Sequence, residues 1–151
     1  MTILYSMRIP KKYVPKHLTR KDKRKQKKQI LKSRRQYKKK QYFTRKKVNS
    51  FKSKRSKHML KAEKLYNISP LTLNSELAKK TGCSLASLRK IIKKGQGAYY
   101  SSGSRPNQTA HSWAYARLAS SISGGNASKV DYHILKEGCN PSSKALSLIH
   151  I

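Results

Sequence analysis

Ser101, Ser102, Ser104, His111 and Asp131 are the ingredients of a hydrolytic triad: hydroxyl nucleophiles, an imidazole base and a carboxylate to orient it. Their setting argues against that chemistry. No Gly-x-Ser-x-Gly elbow presents a serine as a nucleophile. Five acids in 151 residues leave no carboxylate cluster for metal-assisted hydrolysis. The serines lie in the turn-rich passage GQGAYYSSGSRPNQT (95–109), where they suit turns and helix caps, so no enzyme is expected. Arg105, between Ser104 and Pro106, could hold a phosphate or be buried against main-chain carbonyls. Cys83 and Cys139 each stand alone, without a second Cys or His at zinc-ligand spacing. They read as two reduced, partly buried thiols. No metal, cofactor or small-molecule substrate is expected.

The chemistry this composition does offer is cationic. Thirty-seven Lys and Arg face five Asp and Glu, a formal charge of +32. Such a chain repels itself unless a polyanion neutralises it: nucleic acid, anionic lipid head groups or an acidic protein surface. Residues 1–64 carry +24 and residues 65–151 carry +8. That asymmetry predicts a basic arm ordered by partners (1–64), a compact α-rich head (65–140) and a C-terminal tail (141–151). Only 36% of residues are hydrophobic, so a large core is not expected. No apolar run is long enough to span a bilayer. The opening MTILYSMRIP is too short for a signal peptide, which suggests a cytosolic, nuclear or particle-bound protein. The arm's candidate polyanion or partner contacts are Lys23, Arg24, Lys27, Lys28, Arg34, Arg35, Lys38, Lys39, Arg45, Lys46, Lys47, Lys54 and Arg55.

The elements that must position these groups are mainly α. Two prolines make RIPKKYVPKHLTRKD extended, and Thr19 with Asp22 three residues on forms a capping-box pattern. The next stretch lacks Gly and Pro and favours helix, although its lysines repel at i,i+4 and its apolar anchors are only Ile30, Leu31 and Tyr37. YFTRKKVNSFKSKRSK reads as extended, and SKHMLKAEKLYNI as a short helix with Met59, Leu60, Glu63 and Tyr66 near one face. Tyr13, Tyr37, Tyr42, Phe43 and Phe51, set among cations, suit either base stacking or anchorage on a protein surface.

SELAKKTGCSLASLRKIIKKG fits two helices around a tight turn. Asn74 or Ser75 caps the first, with Leu77 and Ala78 inward; Gly82 supplies a positive φ; Ser84 caps the second, whose apolar face is Leu85, Leu88, Ile91 and Ile92. The pattern is similar to helix-turn-helix units. In a DNA-reading role, Ala86, Arg89, Lys90 and Lys93 would face the major groove, with Ser84 and Ser87 on phosphates. The helix lacks Asn and Gln, which weakens a base-specific role.

In the remaining passage Gly95 and Gly97 should break the helix, leaving open a short β-hairpin over residues 98–104. A helix then starts at Asn107 or Thr109 and ends at Gly124-Gly125, with Ala110, Trp113, Ala114, Leu118 and Ile122 on one face. Arg117 shares that face and needs a partner, for which Asp131 is the best acid, as a structural clamp.

The blocks YVPKHLTRKDKRKQ, YFTRKKVNSFKSKRSKH, LAKKTGCS and GAYYSSGSRPNQTAHSWAYARLASSISGG, followed by VDYHILKEGC, resemble a family of small basic proteins, a domain of unknown function, in large double-stranded DNA viruses of the chlorella-virus, mimivirus and marseillevirus kind. The resemblance covers about residues 10–139. It implies a viral origin and residence in the virion. In that setting the expected role is a minor capsid protein whose basic arm straps capsomers on the inner face of the shell. Its partners would be major and other minor capsid proteins, with genomic DNA or inner-membrane lipid head groups as further anionic neighbours, and it would pass through the host cell during assembly. The alternative is a genome-binding protein of the virion core.

Overall fold

The computed structural model describes residues 8–149. After a single 3-10 turn at Lys11–Tyr13, the described chain forms eight helices: α1 (Arg20–Lys38), α2 (Lys57–Tyr66), α3 (Ser75–Thr81), α4 (Leu85–Ser101), α5 (Ala110–Ile122), α6 (Asn126–Val130), α7 (Tyr132–Gly138) and α8 (Lys144–Ser147). Among the described residues there is no strand, only an isolated antiparallel bridge between Cys83 and Cys139.

Two compact units result, and they follow other lines than a basic arm and a head. One joins the chain up to Lys54 with Gln96–Trp113; the other joins Arg55–Gly95 with the chain from Ala114 onward. The boundaries fall inside α4 and α5. The basic segment therefore has partners within its own chain. Its α1 buries Asp22, Gln26, Ile30 and Ser33, which lie at successive helical turns on one stripe. Three of those four are polar, and each is satisfied. Gln26 Nε2 donates to Tyr13 O (3.0 Å) and Ser104 O (3.3 Å), and Ser33 Oγ donates to Tyr100 O (3.0 Å). Thr19 caps α1 by accepting from the Asp22 N–H. The Asp22 carboxylate does not take the Thr19 backbone N–H as a capping box would have it. It accepts instead from the Ser50 N–H (2.8 Å) and hydroxyl, while the Thr19 N–H donates to Ser50 Oγ.

The extended stretch after α1 is paired by side chains rather than by another strand. Gln29 bonds both the N–H (2.6 Å) and the carbonyl (3.1 Å) of Lys46. Asn107, held at φ 63°, does the same for Val48 and reaches Phe51 O as well. Asn107 is thus a bracket for the basic chain, and it is Thr109 that caps α5, its hydroxyl accepting from the Ser112 N–H.

The second unit holds the larger apolar core, built from Tyr66, Leu77, Leu88, Ile91, Leu118, Ile122, Leu135 and their neighbours. On α2 the inward residues are Ala62, Glu63 and Tyr66; Leu60, expected on that face, is exposed because the helix turns Ala62 to the core in its place. Asn74 caps α3, Gly82 ends it at φ +77°, and the Ser84 hydroxyl accepts from the Ser87 N–H at the start of α4.

Two expectations are corrected here. The glycines do not break α4, which runs unbroken through Gly95 and Gly97 to Ser101, so no hairpin occupies residues 98–104. The reason at Gly95 is close packing: a Cβ there would lie 2.7 Å from Ala114 Cα on α5. The cysteines are not two separate thiols. Cys83 and Cys139 form a disulfide beside main-chain bonds from Ser84 N to Gly138 O and from Asn140 N to Gly82 O. Their sequence separation of 56 hid a neighbourhood that those bonds create.

Candidate nucleic-acid interface

The first unit carries twenty-three of the chain's thirty-seven Lys and Arg and a single acid, Asp22. Asp22 is buried on Ser50, and those hydrogen bonds hold its carboxyl below the usual range. The exposed surface of this unit therefore lacks a carboxylate. On α1 the buried stripe turns Arg24, Lys27, Lys28, Arg35 and Lys38 to solvent, and Lys23 is partly exposed; beyond it Lys39, Lys46, Lys47 and Lys54 are exposed too. Repulsion along i,i+4 rows such as Arg24, Lys28 and Lys32 is a standing cost that a bound polyanion would relieve.

Three of the expected arm contacts are committed elsewhere. Arg45 is buried, 7% exposed, because it is the polar centre of the unit. Its guanidinium donates to Ser33 Oγ (3.0 Å), Tyr99 O (2.8 Å) and Ser104 Oγ (2.8 Å) and lies 3.8 Å above the Tyr99 ring. Burial pulls its pKa down, and only neutral oxygens surround it. Arg34 donates from Nε to Ser102 O at 2.8 Å. Arg55 pairs with Glu63 at 2.6 Å, and that bond holds the Glu63 carboxyl low. Arg105 is exposed, so the buried guanidinium of this passage is Arg45 and not Arg105.

The aromatic residues of the basic segment form local clusters. Tyr13 meets Trp113 edge-on at 5.8 Å, His17 stacks on Phe51, and Lys32 sits 4.5 Å over Phe43. Tyr37, Tyr42 and Tyr100 gather in a group of three, of which Tyr42 is 67% exposed. Cluster membership of this kind was invisible in the spacing; the polar brackets Gln26, Gln29, Ser33 and Asn107 were also missed, since polar side chains on a basic helix read as solvated.

In the second unit Arg89, Lys90 and Lys93 are exposed on α4, as is Ser84. Ser87 is not available to a phosphate. It is buried, bonded to Ser84 Oγ, and lies against Gly138 so closely that a Cβ there would overlap its hydroxyl. Arg117 clamps Asp131 through two bonds, Nε to Oδ2 at 3.0 Å and Nη2 to Oδ1 at 2.6 Å, and Ser121 Oγ donates to the same carboxylate. Asp131 is fully buried, so the pair is the structural clamp its position on the apolar face called for. Two of the triad ingredients are committed to other bonds: Asp131 to Arg117 and Ser121, and Ser104, whose Oγ donates to Arg105 O and accepts from Arg45. Among the described residues no His, Cys, Asp and Glu gather as a metal site, and no helix is long and apolar enough to cross a membrane.

A family model described as a family of unknown function, DUF5824, matches residues 10–134. The chain belongs to that family. The match takes in the basic segment from Pro10, α1 to α6 and the start of α7, and leaves Cys139 and α8 outside. No curated protein and no solved structure matches the chain.

Proposed function

We propose that this protein is a virion structural protein of a large DNA virus that binds the genome through the basic face of its first unit. The observation that carries the reading is the fold of that unit. Its one acid is buried, its core is bracketed by neutral polar side chains, and its cations are left facing solvent on a built scaffold. A surface of that kind fits phosphate backbones by charge and imposes no base sequence. The viral setting rests on the resemblance of the SSGSRPNQT and VDYHILKEGC blocks to proteins of such viruses. The helix pair around Gly82 offers Arg89, Lys90 and Lys93 as additional phosphate contacts rather than as base readers, since α4 presents no Asn or Gln to a groove except Gln96 near its far end.

The second reading is a minor capsid protein that cements capsomers on the inner face of the shell, with lipid head groups of an inner membrane as a further anionic neighbour. Its strap required an arm ordered by other chains, and residues 8–54 have internal partners instead. Fractionation of purified virions into shell and DNA-containing core, with mass spectrometry for this chain before and after nuclease, tests both. Release from the core by nuclease or salt is the expected result. Retention on the shell after DNA digestion would overturn the genome reading in favour of the capsid one.

A further inference from the structure

The group formed by Tyr37, Tyr42 and Tyr100 offers one tyrosine ring to solvent. Tyr42 is 67% exposed, yet it is not loose. Its ring centroid lies 5.2 Å from Tyr100 and 6.1 Å from Tyr37, and Tyr37 stacks on Tyr100 at 6.3 Å with 10° between planes. The base of the group is pinned. Tyr100 O accepts from Ser33, Arg34 holds the neighbouring Ser102 O, and Tyr99 beneath is fully buried.

The chain reaches this arrangement by a reversal at the end of α1. Lys40 takes a left-handed φ of 59°, and the Gln41 N–H bonds Gln36 O at 2.9 Å, which brings Tyr42 back beside Tyr37. Glycine would adopt that backbone at about 1 kcal/mol less cost. The lysine keeps a cation there. Lys38, Lys39 and Lys40 are all exposed, and the residues flanking the two tyrosines line an open concavity of about 470 Å³ formed by Lys32, Arg35, Gln36, Lys38, Lys39 and Gln41.

A supported π-face that follows the exposed Lys38, Lys39 and Lys40 in the chain, on a unit whose single carboxylate is buried, suits a ligand that alternates flat rings with negative charges. Duplex DNA hides its rings, whereas an unpaired strand presents both. An acidic peptide would use the cations but leave the platform idle. We infer that Tyr42, backed by Tyr100 and Tyr37, is a stacking platform for an unpaired base, with the lysines before it in the chain holding the adjoining phosphates of a single strand. This rests on the nucleic-acid reading above and narrows it to a strand-state preference.

The test uses the full chain and fluorescence anisotropy with three labelled probes of equal length: oligothymidylate, the same sugar-phosphate chain without bases, and a duplex. The expected result is that oligothymidylate binds at least about fivefold more tightly than the abasic strand. Tyr42→Ala should remove that advantage, Tyr42→Phe should keep it, and neither should alter duplex binding. Because Tyr42 is an exposed side chain, its truncation should leave the melting temperature unchanged, which is checked in parallel. Equal affinity for the abasic strand and oligothymidylate, or an equal loss on all probes in Tyr42→Ala, would overturn the platform. If the duplex is still bound in a salt-dependent way, the genome-binding reading survives that failure. If no probe binds at low salt, both fall.

Discussion

Arg45 shows how a single residue can be misassigned by its surroundings in sequence. It sits in TRKKV, among cations that face water, and it is the one that turns inward. The cage of Ser33, Tyr99 and Ser104 supplies neutral acceptors, and the Tyr99 ring supplies a π-face, so the fork geometry of a guanidinium is what the site requires. Arg45→Ala should cost about 3 kcal/mol, since it strands three buried acceptors, and Arg45→Lys should recover little of it; chemical denaturation measures both. A second residue-scale prediction concerns pH. Asp22, through Ser50, and Glu63, through Arg55, have folded-state pKa values below their usual ones. The unfolded chain therefore takes up protons first as pH falls. The stabilisation these carboxylates give is complete above about pH 4 to 5 and is lost as pH drops through the lower folded values. Thermal melts across that range should show an acid limb, and Asp22→Asn should flatten part of it.

At the scale of elements, the two glycines of α4 show how packing overrides a helix-breaking signal. Both lie within one continuous helix, but their surroundings differ. A methyl at Gly95 would press on Ala114 Cα at 2.7 Å, whereas one at Gly97 would meet only the Tyr37 hydroxyl at 3.5 Å. Gly95→Ala should therefore destabilise the protein by about 1–3 kcal/mol through overpacking of α4 on α5. Gly97→Ala should be neutral or stabilise by up to about 1 kcal/mol, because alanine is the better helix former. Equal effects in melting experiments would show that helix propensity, not the close approach, is what the glycines serve. The caps were legible in sequence, since each pairs a side chain with a backbone N–H two or three residues on. That holds for Thr19, Asn74 and Ser84. The continuity of α4 was not legible, because Gly95 answers to a residue nineteen positions further along.

At the scale of the whole molecule two long-range properties dominate, a covalent loop and an unbalanced charge. The Cys83–Cys139 bond closes a loop with a sequence separation of 56 and sits between α3–α4 and the end of α7. Loop-closure entropy assigns it about 4 kcal/mol, so a reducing agent, or Ala at both cysteines, should lower the melting temperature by an amount the two treatments share. The charge makes its own prediction. If about six phosphates are neutralised by the basic face, the logarithm of duplex affinity should fall with the logarithm of salt at a slope near −5, and binding should be indifferent to sequence. A slope near zero would be incompatible with the proposed interface.

The sequence by itself determined the local and the summed properties of this protein. Helix starts follow from hydrogen bonds within one turn, the mainly helical character from residue propensities and, in the second unit, the spacing of apolar residues, and the cationic character from simple counting. The Arg117–Asp131 clamp was also within reach, because a buried cation had so few acids to choose from. Only the tertiary structure decided which cation is buried, which glycine is a contact, that the cysteines meet, and that the basic segment is a folded body. Each of these depends on a partner far along the chain, such as Tyr99 for Arg45, Ser104 for Gln26 and Cys139 for Cys83. The first unit's core is largely polar, so no hydrophobic periodicity advertised it; its cohesion comes from hydrogen-bond geometry that exists only after those distant segments have come together.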